Sequence, residues 1–383
     1  MVPARIPAYA FMERAVDQEK GRQLMRKLFA TLVFTVFTIA LSPSSLRPCT
    51  TFVFKHNAEW IFGRNYDFEI EYGFVVVNKR GVAKTALLMP GTVGEPARWV
   101  SKYGSVSFNQ FGREYPLGGM NEAGLVIEIM WLTPTEYPHS DKRPTIRELQ
   151  WVQYQLDTAA TVQDVIASDK AIRIEGNMSS PIHFLLCDRK GGAAAVEFLG
   201  GRMRAYAGKD LPVKALTNNT YEYCLDFLKV CGSDETKPSF QQAGNSPRRF
   251  VWAAKGIEAW DDKTHTDPVG YAFQILDKCD LPHSKFRIVY DTKAGIIYFR
   301  TASTPNVRSI DFRRFDFSCR TPVKLLDMLA DLKGDVTGQF QDYTWEANYD
   351  LVKRSFSETN FLKGTPEEAL KILSKYPDSL RCK

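Results

Sequence analysis

The arrangement of strand-like and helix-like segments after residue 48 is the feature that most constrains the fold of this chain. Short β-branched and aromatic runs separated by turn residues fill residues 49–132. Helical patterns follow in 145–168, strand-like runs return in 182–207, and further helical patterns occupy 221–278. Since strands and helices come in separate blocks, we expect an α+β protein with largely antiparallel sheets and not a βαβ nucleotide-binding fold.

Individual segments can be assigned within these blocks. Thr50–Lys55 and Trp60–Phe62 flank the polar turn HNAE, which predicts a hairpin. Strands are also predicted at Thr85–Met89 and Tyr115–Leu117. An amphipathic helix at Glu367–Leu373 is expected to end the chain.

Composition limits the partners that this chain can have. The chain has 383 residues, of which 44% are hydrophobic and 13% aromatic, so it can bury a large core. Its 50 basic and 44 acidic side chains leave a formal charge of +6, and no Lys/Arg block recurs with interleaved aromatic residues. Neither a G-x-G-x-x-G motif nor a low-complexity linker occurs. We therefore expect one domain over residues 49–383 that binds no nucleic acid.

The first 48 residues differ from the rest of the chain. Met25-Arg26-Lys27 precedes the apolar run Leu28–Leu41, which is followed by the small and turn-forming residues SPSS. The run is shorter than the ~20 residues that cross a bilayer, and its basic start is typical of a secretory signal peptide. Residues 1–48 are therefore predicted to be a signal peptide and short propeptide, with Met25 as an alternative start. The predicted location is periplasmic or secreted, without a stable membrane anchor; an uncleaved anchor is the alternative.

The cysteines and histidines do not form a metal-binding pattern. Seven cysteines occur, an odd number, so at least one thiol is expected to stay unpaired in an exported chain. No Cys-x-x-Cys is present, and the five histidines lack the spacing of metal ligands. We expect neither a metal nor an organic cofactor.

The position of Cys49, directly after the leader-like segment, suggests a specific chemistry. A cut before Cys49 would give this residue both a thiol and a free α-amine. An α-amine has a pKa of about 7.7–8.0, so it can take up the thiol proton without a histidine. The alternative is that Cys49 is a buried structural cysteine, since free cysteines are often buried.

Arg64 and Asp67 follow Cys49 by 15 and 18 residues, and the predicted hairpin would bring them back towards it. A carboxylate there could hold the α-amine, and a guanidinium could lower the pKa of the thiol. The alternative is an exposed ion pair of little energetic value.

Four segments together resemble one known family. Cys49-Thr50 followed by Phe62-Gly-Arg-Asn-x-Asp67 resembles the choloylglycine hydrolase family, and Asn121–Leu125, Leu216–Asn219 and Ser246–Phe250 are similar to further segments of that family, in its order. The family contains bile salt hydrolases and penicillin V acylases and belongs to the N-terminal nucleophile (Ntn) hydrolases. The resemblance implies a four-layer αββα sandwich with two mostly antiparallel sheets.

The resemblance also implies the roles of individual residues. Cys49 would be the nucleophile with its own amine as base, and Arg64 and Asp67 would be its immediate partners. The polar segments that lie further along the chain would supply the rest of the site. Asn218 would stabilise the oxyanion, Asn219 is the fallback for that role, and Arg249 would complete the polar cluster. Without the resemblance, the two asparagines would be turn residues and Arg249 a charge on a helix surface.

The sequence departs from the family at one position. Ten residues beyond Asn121, bile salt hydrolases carry an asparagine and many penicillin V acylases a tyrosine, whereas this chain has Trp131. An indole offers one N–H donor and a large apolar face, so it favours an aromatic or fatty acyl group. Tyr66 and Phe68 are predicted to extend that pocket. Ordinary core packing is the alternative for Trp131.

The resemblance therefore implies hydrolysis of small linear amides, in the manner of a penicillin V acylase or an N-acyl amide (acyl-homoserine lactone) acylase. A bile salt hydrolase, an acyltransferase and a secreted non-catalytic binding protein remain as alternatives. The family tends to form tetramers, which implies a homotetramer. Removal of residues 42–48 is expected to be partly autocatalytic, because the Cys49 thiol faces the bond before it.

Overall fold

The computed structural model describes residues 49–57, 59–176, 179–232, 234–280 and 284–383. The predicted signal peptide and propeptide lie outside these residues. In chain order the strands are β1 Thr50–His56, β2 Glu59–Asp67, β3 Phe74–Asn78, β4 Val82–Thr85, β5 Arg98–Val100, β6 Ser105–Asn109, β7 Gly118–Asn121, β8 Val126–Trp131, β9 Thr145–Ile146, β10 Arg173–Ile174, β11 Ile182–Cys187, β12 Ala193–Leu199, β13 Arg202–Ala207, β14 Ala215–Leu216, β15 Ser284–Asp291, β16 Ile296–Thr301, β17 Arg308–Asp311, β18 Lys324–Asp327, β19 Gly334–Asp335, β20 Gln341–Asp342 and β21 Arg381–Cys382. The α-helices are α1 Glu148–Thr158, α2 Val162–Ala167, α3 Tyr221–Cys231, α4 Pro238–Gln241, α5 Asn245–Glu258, α6 Pro268–Lys278, α7 Trp345–Glu358 and α8 Glu367–Lys375.

Two large sheets dominate the fold. The first has seven strands in the order β14-β1-β2-β15-β16-β17-β19, antiparallel except between β17 and β19. The second has nine strands in the order β13-β12-β11-β8-β7-β6-β3-β18-β20, and all of its pairs are antiparallel. The predicted hairpin is confirmed as β1 and β2, and its second strand extends to Asp67.

The two sheets pack face to face through aromatic side chains. Phe108 on β6 lies with its ring 6.2 Å from that of Phe286 on β15 and 5.6 Å from that of Phe299 on β16. Helices α5 and α6 pack on β1, β2 and β15, and α1 packs on β7 and β8. Each sheet therefore has one face on the other sheet and one face on helices, and the predicted α+β αββα sandwich is confirmed.

Three local predictions were wrong because tertiary contacts override the local pattern. No strand forms at Tyr115–Leu117, which lies in a buried loop after Glu114, a residue with a φ of 73°. At Thr85–Met89 the strand β4 ends at Thr85, and Thr92 N–H turns back to Met89 O at 3.1 Å. The helix predicted from residue 145 begins at Glu148, because β9 pairs with β10 first.

The C-terminal segment packs back on the domain. The predicted helix at Glu367–Leu373 is confirmed as α8, but the chain continues beyond it to β21, which pairs with β4. Helix α7 had not been predicted. Within the described ranges, no helix combines the length and the apolarity needed to cross a bilayer.

Two of the seven cysteines form a disulfide in this segment. Cys319 and Cys382 are bonded, with their Cα atoms 5.5 Å apart, while the remaining five cysteines are free and buried. The expected unpaired thiol is therefore confirmed, and Cys49 is among the free ones.

We expect loss of this disulfide to destabilise the domain. The bond closes a sequence separation of 63 residues, and a constraint of that size on the unfolded chain is worth about 2–4 kcal/mol. The double variant Cys319→Ser/Cys382→Ser should lose about that much free energy of unfolding in urea titrations. Dithiothreitol should lower the free energy of unfolding of the parent protein by the same amount and leave that of the variant unchanged. Equal unfolding midpoints of the two proteins would contradict the prediction.

Candidate active site

Cys49 stands immediately before β1 and is 4% exposed. Because Thr50 pairs with Asn65 in the β1–β2 hairpin, the end of β2 lies beside it. Its Sγ is 3.9 Å from the backbone oxygen of Asp67, and its backbone N–H donates to Asn218 Oδ1 at 2.7 Å. The nitrogen that would become the α-amine of a cut chain is thus already bound to a side chain.

Arg249 joins this cluster from helix α5. Its guanidinium is fully buried and donates to the backbone oxygen of Cys49, to Thr50 Oγ1 at 2.7 Å and to Asn218 Oδ1 at 2.9 Å. Arg249 is therefore not a charge on a helix surface. It ties the first two residues of the domain to the segment after β14.

The side-chain amide of Asn218 both accepts and donates hydrogen bonds in the site. Its Oδ1 accepts from Cys49 and Arg249, while its Nδ2 donates to the backbone oxygen of Trp131 at 2.9 Å. The backbone N–H of Asn218 donates to Ser246 Oγ at 2.9 Å, which fixes the segment against α5. Asn219 lies next to it, but its backbone faces the Cys224 thiol, and among the described residues no side-chain contact places Asn219 at Cys49.

A buried polar pair supports this segment from the second sheet. His183 Nε2 lies 2.6 Å from the backbone oxygen of Thr217, and His183 Nδ1 lies 3.1 Å from Glu197 Oε1. Glu197 Oε1 also accepts from the backbone N–H of Tyr221 at 2.8 Å. Since buried polar groups need partners, these contacts fix the residue before Asn218 and the start of α3.

Arg64 crosses from the first sheet to the second. It forms an ion pair with Glu128 on β8, and both side chains are 1% or less exposed. Its Nη1 also donates to the backbone oxygen of Leu117 at 3.2 Å, and the Tyr290 hydroxyl donates to Glu128 Oε1 at 2.5 Å. Gly118 is paired with Glu128 in the sheet, and a Cβ there would overlap the carboxylate. The close approach therefore requires glycine at this position.

Asp67 is buried at the end of β2. Its Oδ1 accepts from the Ser284 hydroxyl, and its Oδ2 has no hydrogen-bond partner among the described residues. The expectation that a carboxylate holds the nitrogen of Cys49 differs from the observed geometry, where Asn218 accepts from that nitrogen. Asp67 contacts Cys49 through its backbone oxygen instead.

Burial governs the protonation of the site. It raises the pKa of the Cys49 thiol above its ordinary value, although the Arg64 and Arg249 guanidinium groups lower that pKa. Burial also raises the pKa of Asp67 to about 6, against the opposing effects of Arg249 and the Ser284 hydroxyl. The lowering by Arg64 is thus present as expected, but the thiol is protonated at neutral pH and needs a base.

A narrow cavity of about 60 Å³ opens beside Cys49. Tyr66, Phe68 and Trp131 line it together with Arg64 and Asp67. The other lining residues are mostly apolar: Phe111, Leu117, Ile129, Met130, Leu149, Ser180, Ile182 and Phe361. A cavity this small holds far less than the ~300 Å³ of an ordinary ligand pocket, so a ligand of ordinary size must displace part of the wall.

A larger cavity of about 520 Å³ adjoins the same wall. Pro181 lines this larger cavity, whereas Ser180 and Ile182 line the one at Cys49. None of the predicted site residues is among its lining residues. Throughout the described ranges, no group of three or more His, Cys, Asp or Glu side chains could hold a metal ion.

Several residues of the site were missed at the sequence level, among them Glu128, Ser284 and Phe361. Glu128 could have been noticed as a lone charge within the apolar strand IEIMW. Ser284 and Phe361 gave no signal, because they reach the site only through the pairing of β15 with β2 and the return of the C-terminal segment. Both depend on contacts more than 200 residues apart along the chain.

Comparisons with known proteins give a matching family and a similar protein. The family model of linear amide C–N hydrolases, choloylglycine hydrolase family, matches residues 49–257, which is more than half of the 383 residues. The match begins at Cys49. A penicillin V acylase of Pectobacterium atrosepticum is 26% identical over 315 residues, which cover 71% of this chain and 83% of that protein.

Solved structures with the same fold are also similar. A penicillin V acylase from Agrobacterium tumefaciens matches with a TM-score of 0.64 and 26% identity, over 77% of this chain and 98% of that one. A mutant of conjugated bile acid hydrolase from Clostridium perfringens matches with a TM-score of 0.59 and 17% identity, over 73% of this chain and 96% of that one. The latter similarity concerns the fold alone.

We expect the ion pair between the sheets to be needed for stability. Glu128→Leu would leave the Arg64 guanidinium buried without its counter-charge, which costs about 3–5 kcal/mol. Tyr290→Phe removes one hydrogen bond to the same carboxylate and should cost about 1–2 kcal/mol. Urea unfolding followed by fluorescence measures both changes. If Glu128→Leu were no more destabilising than Tyr290→Phe, the pair would not hold the sheets as described.

Proposed function

The chain belongs to the family of linear amide C–N hydrolases, choloylglycine hydrolase family, and from this premise we propose that it cleaves amides carrying an aromatic or fatty acyl group. It is a linear-amide amidohydrolase; the nucleophile and the substrate are the parts we propose. One observation carries the proposal: Cys49, whose backbone nitrogen is bound by Asn218 Oδ1, lines a cavity with aromatic walls.

We place the start of the mature chain at Cys49. The family match beginning at this residue supports that start, as does the contact of its nitrogen with Asn218 Oδ1. In the cut chain this nitrogen is an α-amine, which supplies the base that a buried, protonated thiol requires. Removal of residues 42–48 by the same thiol remains part of the proposal.

The acylation step follows from these positions. The α-amine takes the thiol proton, and Sγ bonds to the amide carbonyl carbon. Nδ2 of Asn218 has two N–H bonds, one of which is donated to Trp131 O; we assign the other to the developing oxyanion. The C–N bond then breaks, the leaving nitrogen takes the proton from the α-ammonium group, and a thioester remains on Cys49.

In deacylation the same α-amine and thiol sulfur act again, with water as the attacking molecule. Water attacks the thioester carbonyl while the α-amine accepts one of its protons. The C–S bond breaks, the carboxylic acid leaves, and the thiolate takes the proton back from the α-ammonium group. Arg249 and Arg64 lower the pKa of the thiol and so stabilise the thiolate as it forms. The residues that act in these steps need no metal or organic cofactor.

The lining of the cavity supports the acyl preference. Trp131, Tyr66 and Phe68 present aromatic surface beside Cys49, and Ile129 and Met130 are apolar. Such a lining suits phenoxyacetyl or fatty acyl groups, as in a penicillin V acylase or an N-acyl-homoserine lactone acylase. A bile salt hydrolase is less favoured because an indole replaces the asparagine expected at residue 131. The complete polar set at Cys49 argues against a protein that only binds.

We also propose that the protein is exported to the periplasm or the medium. The apolar run Leu28–Leu41 motivated this location, and it lies outside the described residues. The disulfide between Cys319 and Cys382 supports the location, because such bonds persist in oxidising compartments.

The proposed function is tested on mature protein with penicillin V, a long-chain N-acyl-homoserine lactone and a glycine-conjugated bile acid. We expect faster release of amine from the first two substrates. Cys49→Ala should lower the rate at least about a thousandfold, because it removes the atom that bonds to the carbonyl. Intact mass should place the start of the active protein at Cys49. Full activity with peptide retained upstream of Cys49 would refute the mechanism.

The same Cys49→Ala variant tests the maturation step, since it lacks the thiol. Retention of residues 42–48 in this variant would support self-processing, whereas normal trimming would exclude it. Binding of all three substrates by the parent protein without release of amine would favour the non-catalytic alternative.

The value of kcat/KM at acid pH should depend on the charge of Asp67. Its carboxylate is charged above pH 6 and neutral below it, because burial raises its pKa to about 6. A charged carboxylate favours the α-ammonium group that forms in each step, so kcat/KM should fall on the acid side. Ser284→Ala removes a hydrogen bond that lowers this pKa, so the acid limb should move to higher pH.

At pH 5.5 this variant should have about three- to tenfold lower kcat/KM than the parent, and above pH 7.5, where Asp67 is charged in both proteins, the two should agree. Ser101→Ala, a buried serine whose hydroxyl donates to Lys79 O, is the matched control and should keep the profile of the parent. An acid limb that moves to lower pH in Ser284→Ala would contradict the assignment.

A further inference from the structure

One wall of the cavity at Cys49 comes from a part of the chain that no motif indicated. The other lining residues fall between Cys49 and Ile182, whereas Phe361 belongs to the single 3-10 turn Asn360–Leu362 that follows α7. This turn lies beyond residue 257, where the family match ends. The residue at this position therefore belongs to the C-terminal segment and not to the matched region.

Phe361 stands against the residue that distinguishes the acyl cavity of this chain. Its ring centroid is 6.2 Å from that of Trp131, and the two ring planes are inclined at 63°. Aromatic rings at such distances attract each other beyond the burial of their surface. The half-buried Phe361 ring and the indole thus form adjoining parts of one wall.

The turn that carries Phe361 is held at its start by the segment that follows β2, and the helix before it packs on another lining residue. The backbone N–H of Asn360 donates to Glu69 Oε2 at 2.6 Å, and Glu69 follows Phe68, itself a lining residue. On the helix side, the ring of Phe356 in α7 lies edge-on to that of Phe111, at 6.1 Å. Phe361 is therefore positioned on the cavity by specific contacts.

We propose that Phe361 is a specificity-determining residue that limits the size of the acyl group. The cavity of about 60 Å³ holds no long acyl chain while the Phe361 ring occupies its wall, so such a chain must displace the ring from Trp131. A short aryl acyl group displaces less of the wall. This inference rests on the proposed amide hydrolysis at Cys49, and it adds which acyl groups are favoured.

The test compares two amides of the same chromogenic amine, N-phenoxyacetyl- and N-decanoyl-4-nitroaniline. In Phe361→Ala the ratio of kcat/KM for the decanoyl over the phenoxyacetyl substrate should rise about tenfold, in line with discrimination by apolar pockets. Phe361→Leu should give a smaller rise. Tyr349→Ala is the matched control, because it removes an aromatic ring of helix α7 that stacks on Trp345 and lies outside the cavity lining; its ratio should stay within about twofold of the parent.

A second measurement does not depend on turnover. Decanoate and phenoxyacetate are titrated into Cys49→Ala and into Cys49→Ala/Phe361→Ala, and tryptophan fluorescence is recorded. The added substitution should tighten decanoate binding about tenfold relative to phenoxyacetate. These binding measurements test the role of Phe361 even if the parent enzyme proves inactive on both anilides.

The outcomes separate the two proposals. A parent protein that hydrolyses none of the amides refutes the proposed function, whereas an active parent with an unchanged ratio in Phe361→Ala and unchanged relative binding refutes only the present inference. An equal rise in Tyr349→Ala also overturns it, because the effect would then come from loosening the segment.

Discussion

The burial of the Arg249 guanidinium is the constraint on which the geometry of the site depends. A charge removed from water destabilises the fold by several kcal/mol unless hydrogen bonds compensate for it. Here the donors of Arg249 reach oxygen atoms of Cys49, Thr50 and Asn218, which belong to two distant segments of the chain. Helix α5, the start of β1 and the segment after β14 are thereby fixed relative to one another. As a consequence, Asn218 Oδ1 is placed to accept a hydrogen bond from the nitrogen of Cys49.

The buried Arg64 guanidinium is compensated in a similar way, by the Glu128 carboxylate on the other sheet. Their ion pair lies where a hydrophobic contact would otherwise be expected, and Gly118 leaves the space that the carboxylate occupies. The guanidinium is close enough to Cys49 to favour its thiolate, but burial has the larger effect and keeps the thiol protonated. A site of this kind depends on a base that can remove the proton. In this site the candidate base is the amine of the same residue.

The cavity beside Cys49 combines two independent parts of the chain. Residues of the hairpin and of β8 form a side that lies within the family match, while the turn after α7 closes the cavity with Phe361. The disulfide between Cys319 and Cys382 and the pairing of β21 with β4 hold the end of this segment to the domain. The part of the wall that Phe361 supplies can therefore vary separately from the polar set at Cys49, because the two lie on different segments.

Much of this molecule could be derived from its residues alone. The separation of strand and helix blocks predicted the α+β class, and the hairpin from Thr50 was predicted because its alternation and its turn are local signals. The position of Cys49 and its spacing to Arg64 and Asp67 pointed to these three residues, whereas Asn218 and Arg249 followed only from the family resemblance; the structure brings the five together around the start of β1.

Only the tertiary structure decided which atoms of these site residues form hydrogen bonds and ion pairs with one another. The amide of Asn218, and not the carboxylate of Asp67, accepts from the nitrogen of Cys49, and Arg64 pairs with a glutamate of the other sheet. Phe361 and Ser284 reach the site through pairings of distant segments, which no local pattern encodes. Local periodicity determines elements because it depends on neighbouring residues, whereas partners and protonation depend on burial, and burial exists only once the sheets have packed.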